Sequence, residues 1–90
     1  MSISIVMPTY LQPYTDNKEA VEVKGDTLGG CLDDLIERYP GIEQMLFDGK
    51  GKLHTYVGVY INGQDAYPDP LQKKMKDGDE IHAIYIIGGG

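Results

Sequence analysis

Apolar and polar residues alternate from the second position onward. Ile3, Ile5 and Met7 fall on one side and Ser2, Ser4 and Val6 on the other, the period of a half-buried strand over residues 2–7. Pro8 ends it. Residues 9–18, rich in Pro, Tyr, Thr, Asp and Asn, read as a loop, and 20–23 read as a second strand, so the two predict a hairpin. From Leu28 the period changes. Leu28, Cys31, Leu32, Leu35, Ile36 and Tyr39 recur at three- and four-residue steps, the stripe of an amphipathic helix that Asp26-Thr27 caps and Pro40-Gly41 stops. Gly29 and Gly30 in its first turn each cost up to ~1 kcal/mol relative to alanine. Their presence predicts that the helix start packs closely on the sheet.

Ile42, Met45, Leu46 and Phe47 predict a short turn of helix, followed by a polar, glycine-containing stretch over 48–52. Residues 56–61 read as a strand with Val57, Val59 and Ile61 on one face, closed by the turn signal Asn62-Gly63. The stretch 65–79 holds Pro68, Pro70 and Asp77-Gly78 and reads as a looping connection with a helical turn over 71–75, before a last strand at 80–87. Several strands and a single main helix imply an α+β domain in which a mixed sheet wraps that helix. No repeat and no low-complexity segment interrupts the pattern.

Ninety residues make one domain, burying about 60–65% of the surface of the unfolded chain and leaving little room for a deep catalytic cavity. Fourteen acidic against eight basic side chains give a net charge of -6, which repels phosphate backbones and argues against nucleic acid as a partner. No apolar stretch approaches the ~20 residues that span a bilayer, and the N-terminus lacks the basic residues of a secretory signal. The cytoplasm is the expected location. The single Cys31 excludes an internal disulfide, falls on the apolar helix face and reads as an inert buried thiol. With His54 and His82 it forms no spaced metal motif.

The last strand carries apolar residues on both faces, Ile81, Ala83, Tyr85 and Ile87 on one and His82, Ile84 and Ile86 on the other. One helix covers one face. The second face, with Ile84, Ile86 and His82 beside Tyr60 and Gly58 of the preceding strand, is a candidate partner-binding patch, the alternative being a face covered by loops or by a second copy. His54 and His82 read as exposed, and no nucleophile, base and acid share an arguable spacing, so the chain is not expected to be an enzyme. The division expected is a folded domain at 1–87 and a flexible glycine tail at 88–90. Gly88-Gly89-Gly90 lacks side chains, suits a narrow channel, and would carry a terminal carboxylate about 10 Å beyond the strand, although a frayed end has the same composition. That carboxylate is ionised at neutral pH and needs external activation before a nucleophile can take the acyl group.

Gly25-Asp26-Thr27-Leu28-Gly29, Gly51-Lys52-Leu53-His54, Val59-Tyr60-Ile61-Asn62, Asp77-Gly78-Asp79 and the closing Gly89-Gly90, in this order and spacing, resemble the bacterial ubiquitin-like sulfur-carrier family. That family includes the small subunit of molybdopterin synthase and the thiamin-biosynthesis sulfur carrier, and the likeness is greatest to its cysteine-synthesis branch. The resemblance implies a ubiquitin-like β-grasp fold. It implies that Gly90 is adenylated by a separate E1-like enzyme that consumes ATP, and is converted to a thiocarboxylate. It further implies that Gly88 and Gly89 line the thread, that Tyr60, His82, Ile84 and Ile86 dock the partner, and that the chain binds no cofactor of its own. The sulfur acceptor would be a cysteine-synthase-like enzyme first and the molybdopterin-synthase large subunit second. A modifier captured by lysine amines, or a permanent small subunit, would use the same end. Tyr85 stands where relatives usually carry proline, and its strand N–H predicts pairing further toward the tail.

Overall fold

In the computed structural model, which describes residues 2–86, the opening alternation is strand β1 (Ile3–Val6), and it pairs antiparallel with β2 (Ala20–Val23) as the hairpin expected. The amphipathic stripe is helix α1 (Leu28–Arg38), and the next apolar cluster is a 3-10 turn (Pro40–Ile42) running into α2 (Glu43–Leu46). Strand β3 (Val57–Ile61) turns at Asn62-Gly63 into β4 (Gln64–Asp65), and β5 (Glu80–Tyr85) follows. The sheet order is β2-β1-β5-β3-β4. The final strand therefore lies in the middle, parallel to β1 and antiparallel to β3. Ile87, Gly88, Gly89 and Gly90, and with them the expected boundary between domain and tail, lie outside the described residues.

One face of the sheet is covered. Ile3, Ile5, Val21, Val23, Val57, Val59, Ile81 and Ala83 meet Leu28, Cys31, Leu32 and Leu35 of α1 in a single buried core. The helix begins where Thr27 accepts a hydrogen bond on its hydroxyl from Gly30 N–H at 3.1 Å, an N-cap that satisfies one of the otherwise unpaired amides. The close approach expected at the helix start is real, but its partner is not the sheet. A β-carbon on Gly29 would lie 3.0 Å from the carbonyl oxygen of Leu71, in the connection to β5. Gly25 is tighter still, with an added β-carbon 2.5 Å from the backbone nitrogen of Cys31. Since that contact is backbone, no rotamer change relieves it.

Three segments differ from the sequence reading. Residues 9–15, read as loop, form a 3-10 helix (Thr9–Thr15) that buries Leu11 and Thr15, a lone apolar residue and a lone hydroxyl with no periodic neighbours to announce them. Strand β4 was not expected. Asn62 and Gly63 both adopt positive φ, 52° and 83°, as a two-residue hairpin turn requires, and this folds Gln64 and Asp65 back onto β3. The helical turn in the final connection is Pro70–Gln72, shorter and earlier than 71–75.

Side chains close the fold at two places. At the start of β5, Asp79 accepts from the Asn62 amide and from Lys76 N–H, both at 2.8 Å, while Asn62 accepts from Glu80 N–H at 2.9 Å. These contacts, the Lys76 amide foremost and then Asn62, hold the Asp79 carboxyl below the usual carboxylate range against an opposing effect of burial. Along the outer margin of β2, the Arg38 guanidinium donates to the Glu22 carbonyl, Asp34 accepts from Lys24 N–H at 2.9 Å, and Arg38 and Asp34 pair at 3.2 Å.

Replacing Gly25 with alanine is expected to lower unfolding free energy by about 3 kcal/mol in urea titration, at the upper end of the cost of overpacking a rigid contact. Asp79 contributes stability above the carboxylate's unfolded pKa near ~3.9, and loses it as pH falls through the lowered folded value. The urea midpoints of the wild type and Asp79→Asn should therefore stand apart at pH 6 and converge toward pH 3. A gap unchanged with pH would contradict the assignment.

Candidate functional site

The face of the sheet away from α1 carries the predicted patch, and the pairing register explains its shape. His82 lies opposite Tyr60 and Ile84 opposite Gly58, and Ile86 N–H donates to the Tyr56 carbonyl at 2.7 Å. Because Asn62 N–H also donates to the Glu80 carbonyl, the even-numbered positions of β5 are its hydrogen-bonded rungs with β3. His82, Ile84 and Ile86 are thus successive rungs on one face, and Tyr60 stands beside the first. The structure brings all four predicted docking residues into one column.

Ile84 remains 37% exposed and Ile86 47%. Covering what is left of two isoleucines would contribute on the order of 1–2 kcal/mol to an encounter. Gly58 shapes this surface. A β-carbon there would come 2.9 Å from Ile84 Cγ1 and 3.1 Å from Ile86 Cδ1, so the absent side chain is the seat on which both isoleucines rest. His82 Nε2 lies 2.7 Å from Glu80 Oε1 on the exposed strand surface.

The opposite side of the strand end corrects an expectation. Tyr85 shares parity with Ile81 and Ala83, but the core stops at Ala83 and Tyr85 is 48% exposed. Its ring meets Tyr10 edge-on, with centroids 5.1 Å apart, and Tyr56 at 5.3 Å, and Tyr56 stacks on His54 at 4.7 Å. His54 is tied to α2 through its backbone N–H on Leu46 and its Nε2 against the Gln44 carbonyl at 3.0 Å. Burial, reinforced by Tyr56 and Tyr85, pushes the Tyr10 hydroxyl pKa up, and that hydroxyl has no hydrogen-bond partner among the described residues. The ladder does extend toward the tail. Its final rung among the described residues, however, is the N–H of Ile86, while Tyr85, at a non-hydrogen-bonded position, directs its own N–H away from β3. A proline at 85 would cost no bond to β3.

This aromatic row was not legible in the sequence. Tyr10 sat in an apparent loop and Tyr56 at the start of an expected strand, and only the topology brings positions 10, 56 and 85 together. Cys31 is buried as expected, with Sγ 3.7 Å from the Gly25 carbonyl, and burial above all raises its pKa, nearby carboxylates adding to the effect. Among the described residues, no group of three or more His, Cys, Asp or Glu side chains is placed to hold a metal. Gly88, Gly89 and Gly90, the tail and acyl-bearing residues of the sequence reading, lie outside the described residues.

The family model described as ThiS matches residues 5–90. The chain belongs to the ThiS family. It is 36% identical, over the full length of both chains, to the sulfur carrier protein CysO of Mycobacterium tuberculosis. It is 34% identical to small archaeal modifier protein 1 of Haloferax volcanii, with 78% of each chain covered. Among solved structures, it superposes with a TM-score of 0.87 on a chain of the BexX/CysO complex of Amycolatopsis orientalis, at 32% identity, covering 98% of this chain and 99% of that one. The ubiquitin-like β-grasp expected from the sequence is the fold observed.

Gly58→Ala should displace Ile84 and Ile86, shifting their methyl resonances and lowering stability by about 1–2 kcal/mol. Unmoved methyl signals would show that the glycine is not their seat.

Proposed function

We propose that this ThiS-family chain is a sulfur carrier working through the carboxylate of Gly90. The observation that carries the reading is the coincidence of a family match reaching residue 90 with an exposed apolar column whose last described rung, Ile86, lies just ahead of Gly88-Gly89-Gly90 in the sequence. The column supplies docking. The glycines supply passage, since any side chain would widen the thread. In a separate activating enzyme, the Gly90 carboxylate attacks the α-phosphate of ATP and pyrophosphate leaves. Hydrosulfide then displaces AMP from the acyl carbon, giving the thiocarboxylate.

The chain is a co-substrate in this scheme: ATP is bound and spent by the partner, and this chain's residues bind and present. Its likeness to CysO supports cysteine synthesis as the destination of the sulfur, with a molybdopterin-synthase large subunit as the second choice of acceptor. Tyr60, His82, Ile84 and Ile86 form the face presented to either enzyme. Among the described residues, no helix is long and apolar enough to cross a membrane. The 34% identity to an archaeal modifier supports a second reading, in which a lysine amine takes the same acyl group as an isopeptide. Gly-Gly remnants on cellular lysines, recovered under sulfur-replete conditions, would favour that reading.

Incubation with ATP, the activating enzyme and sulfide should exchange one oxygen for one sulfur in the intact mass, and deletion of Gly90 should abolish the change. An unchanged mass with an enzyme that activates its own carrier would overturn the proposal. Ile84→Asp, which removes the packing over Gly58 along with the exposed apolar surface, should lower stability by about 1–2 kcal/mol while leaving the chain folded, and raise the carrier's KM for activation about tenfold.

A further inference from the structure

The registered pairs of β1 with β5 end at Val6 and His82, whereas those of β3 continue to Tyr85. From Ala83 onward the central strand has a registered neighbour on one side only. Its last rung among the described residues, Ile86 N–H to the Tyr56 carbonyl, lies where a ladder supported from one side opens readily if hydrogen bonds alone hold it. On the flank β1 has left, β1 turns into the 3-10 helix that carries Tyr10, and Tyr10 packs edge-on against Tyr85. Tyr56, whose carbonyl receives the last rung, packs against the same ring and is backed by His54. On the other face, Ile84 and Ile86 rest over Gly58. The strand end is gripped from both sides.

We infer that Tyr10, Tyr56 and Tyr85 form an aromatic clamp that fixes the rung at Ile86, the last among the described residues, and thereby positions the strand end from which Gly90 is presented to the activating enzyme. Tyr85 is a positioning residue. It touches neither ATP nor the acyl carbon and acts through the strand it holds. Opening the clamp would release residues 85 and 86, about 7 Å of extended chain, from the ladder. A docked carrier would then have to order two more residues before its carboxylate met the nucleotide, a cost that falls on formation of the productive complex. The contacts are between ring edges and faces, and the Tyr10 hydroxyl has no hydrogen-bond partner among the described residues, so the rings rather than hydroxyl bonds make the clamp. The consequence for activation rests on the carrier reading above, whereas the clamp itself does not.

The test joins amide exchange to kinetics on the full chain. In Tyr85→Ala, exchange at Ile86 should rise at least tenfold relative to Ile81 of the same variant, with Tyr85→Phe remaining at the wild-type ratio. Tyr10→Ala reports on the same contact from the other side, and does so even where Tyr85→Ala does not fold. With the activating enzyme, both alanine variants should raise the carrier's KM at least fivefold with kcat within twofold, and Tyr85→Phe should restore the wild-type value. Unchanged relative exchange at Ile86 in the alanine variants overturns the clamp. Faster exchange with unchanged KM overturns its role in setting reach. A wild-type chain that an otherwise competent enzyme does not activate counts against the carrier reading, and the exchange ratio then decides the clamp alone.

Discussion

The parallel ladder that sets Ser4 beside Glu80, Ile5 beside Ile81 and Val6 beside His82 joins the two ends of the chain, and the rest of the sheet hangs from it. β2 hangs on the far side of β1, and β3 with β4 on the far side of β5. Ile5 and Ile81, both fully buried, lie side by side on the core face, so the pairing is also the centre of the hydrophobic contact with α1. Parallel neighbours cannot be joined by a tight turn, and here nearly the whole chain intervenes. The sheet is therefore incomplete until its last strand has entered the middle. The same arrangement makes the strand nearest the C-terminal glycines in sequence the most embedded of the sheet.

What the sequence disclosed follows the physics of periodicity. β1, β2, α1, β3 and β5 were legible because each buries one side and so repeats at two or at three to four residues, and the boundaries agree within one or two positions except at β5, part of which lies outside the described residues. The docking column was legible for a related reason: two apolar faces on one strand exceed what one helix can cover. The Thr9–Thr15 helix was hidden because its buried contribution is Leu11 and Thr15, too few to make a period. The seating of Ile84 and Ile86 over Gly58 depends on strand register, and the tyrosine row depends on topology. Neither is a local property of the sequence.

The stretches that carried the resemblance turn out to be mostly fastenings of backbone. Gly25 lets the chain pass against the first turn of α1, and Thr27 caps that turn. Gly51 and Gly78 supply positive φ, 81° and 89°, in turns where a β-carbon would be strained, and Asp79 ties the turn before β5 to Asn62. His54 fastens α2 to the aromatic row. These residues identify the fold because the fold cannot be closed without them. The exposed column is made instead of ordinary strand residues.

The fastening along β2 bears on how such a chain behaves between encounters. Glu19 bonds back to Met7, so Ala20, Glu22 and Lys24 direct their backbone groups outward from the sheet margin. Exposed margins of this kind invite intermolecular strand addition. Here the Glu22 carbonyl is already occupied by Arg38 and the Lys24 amide by Asp34, with the charged pair lying across the approach. Two of the outward groups on this margin are therefore already taken. The exposed isoleucine column lies elsewhere, on the open face of the sheet rather than at this margin.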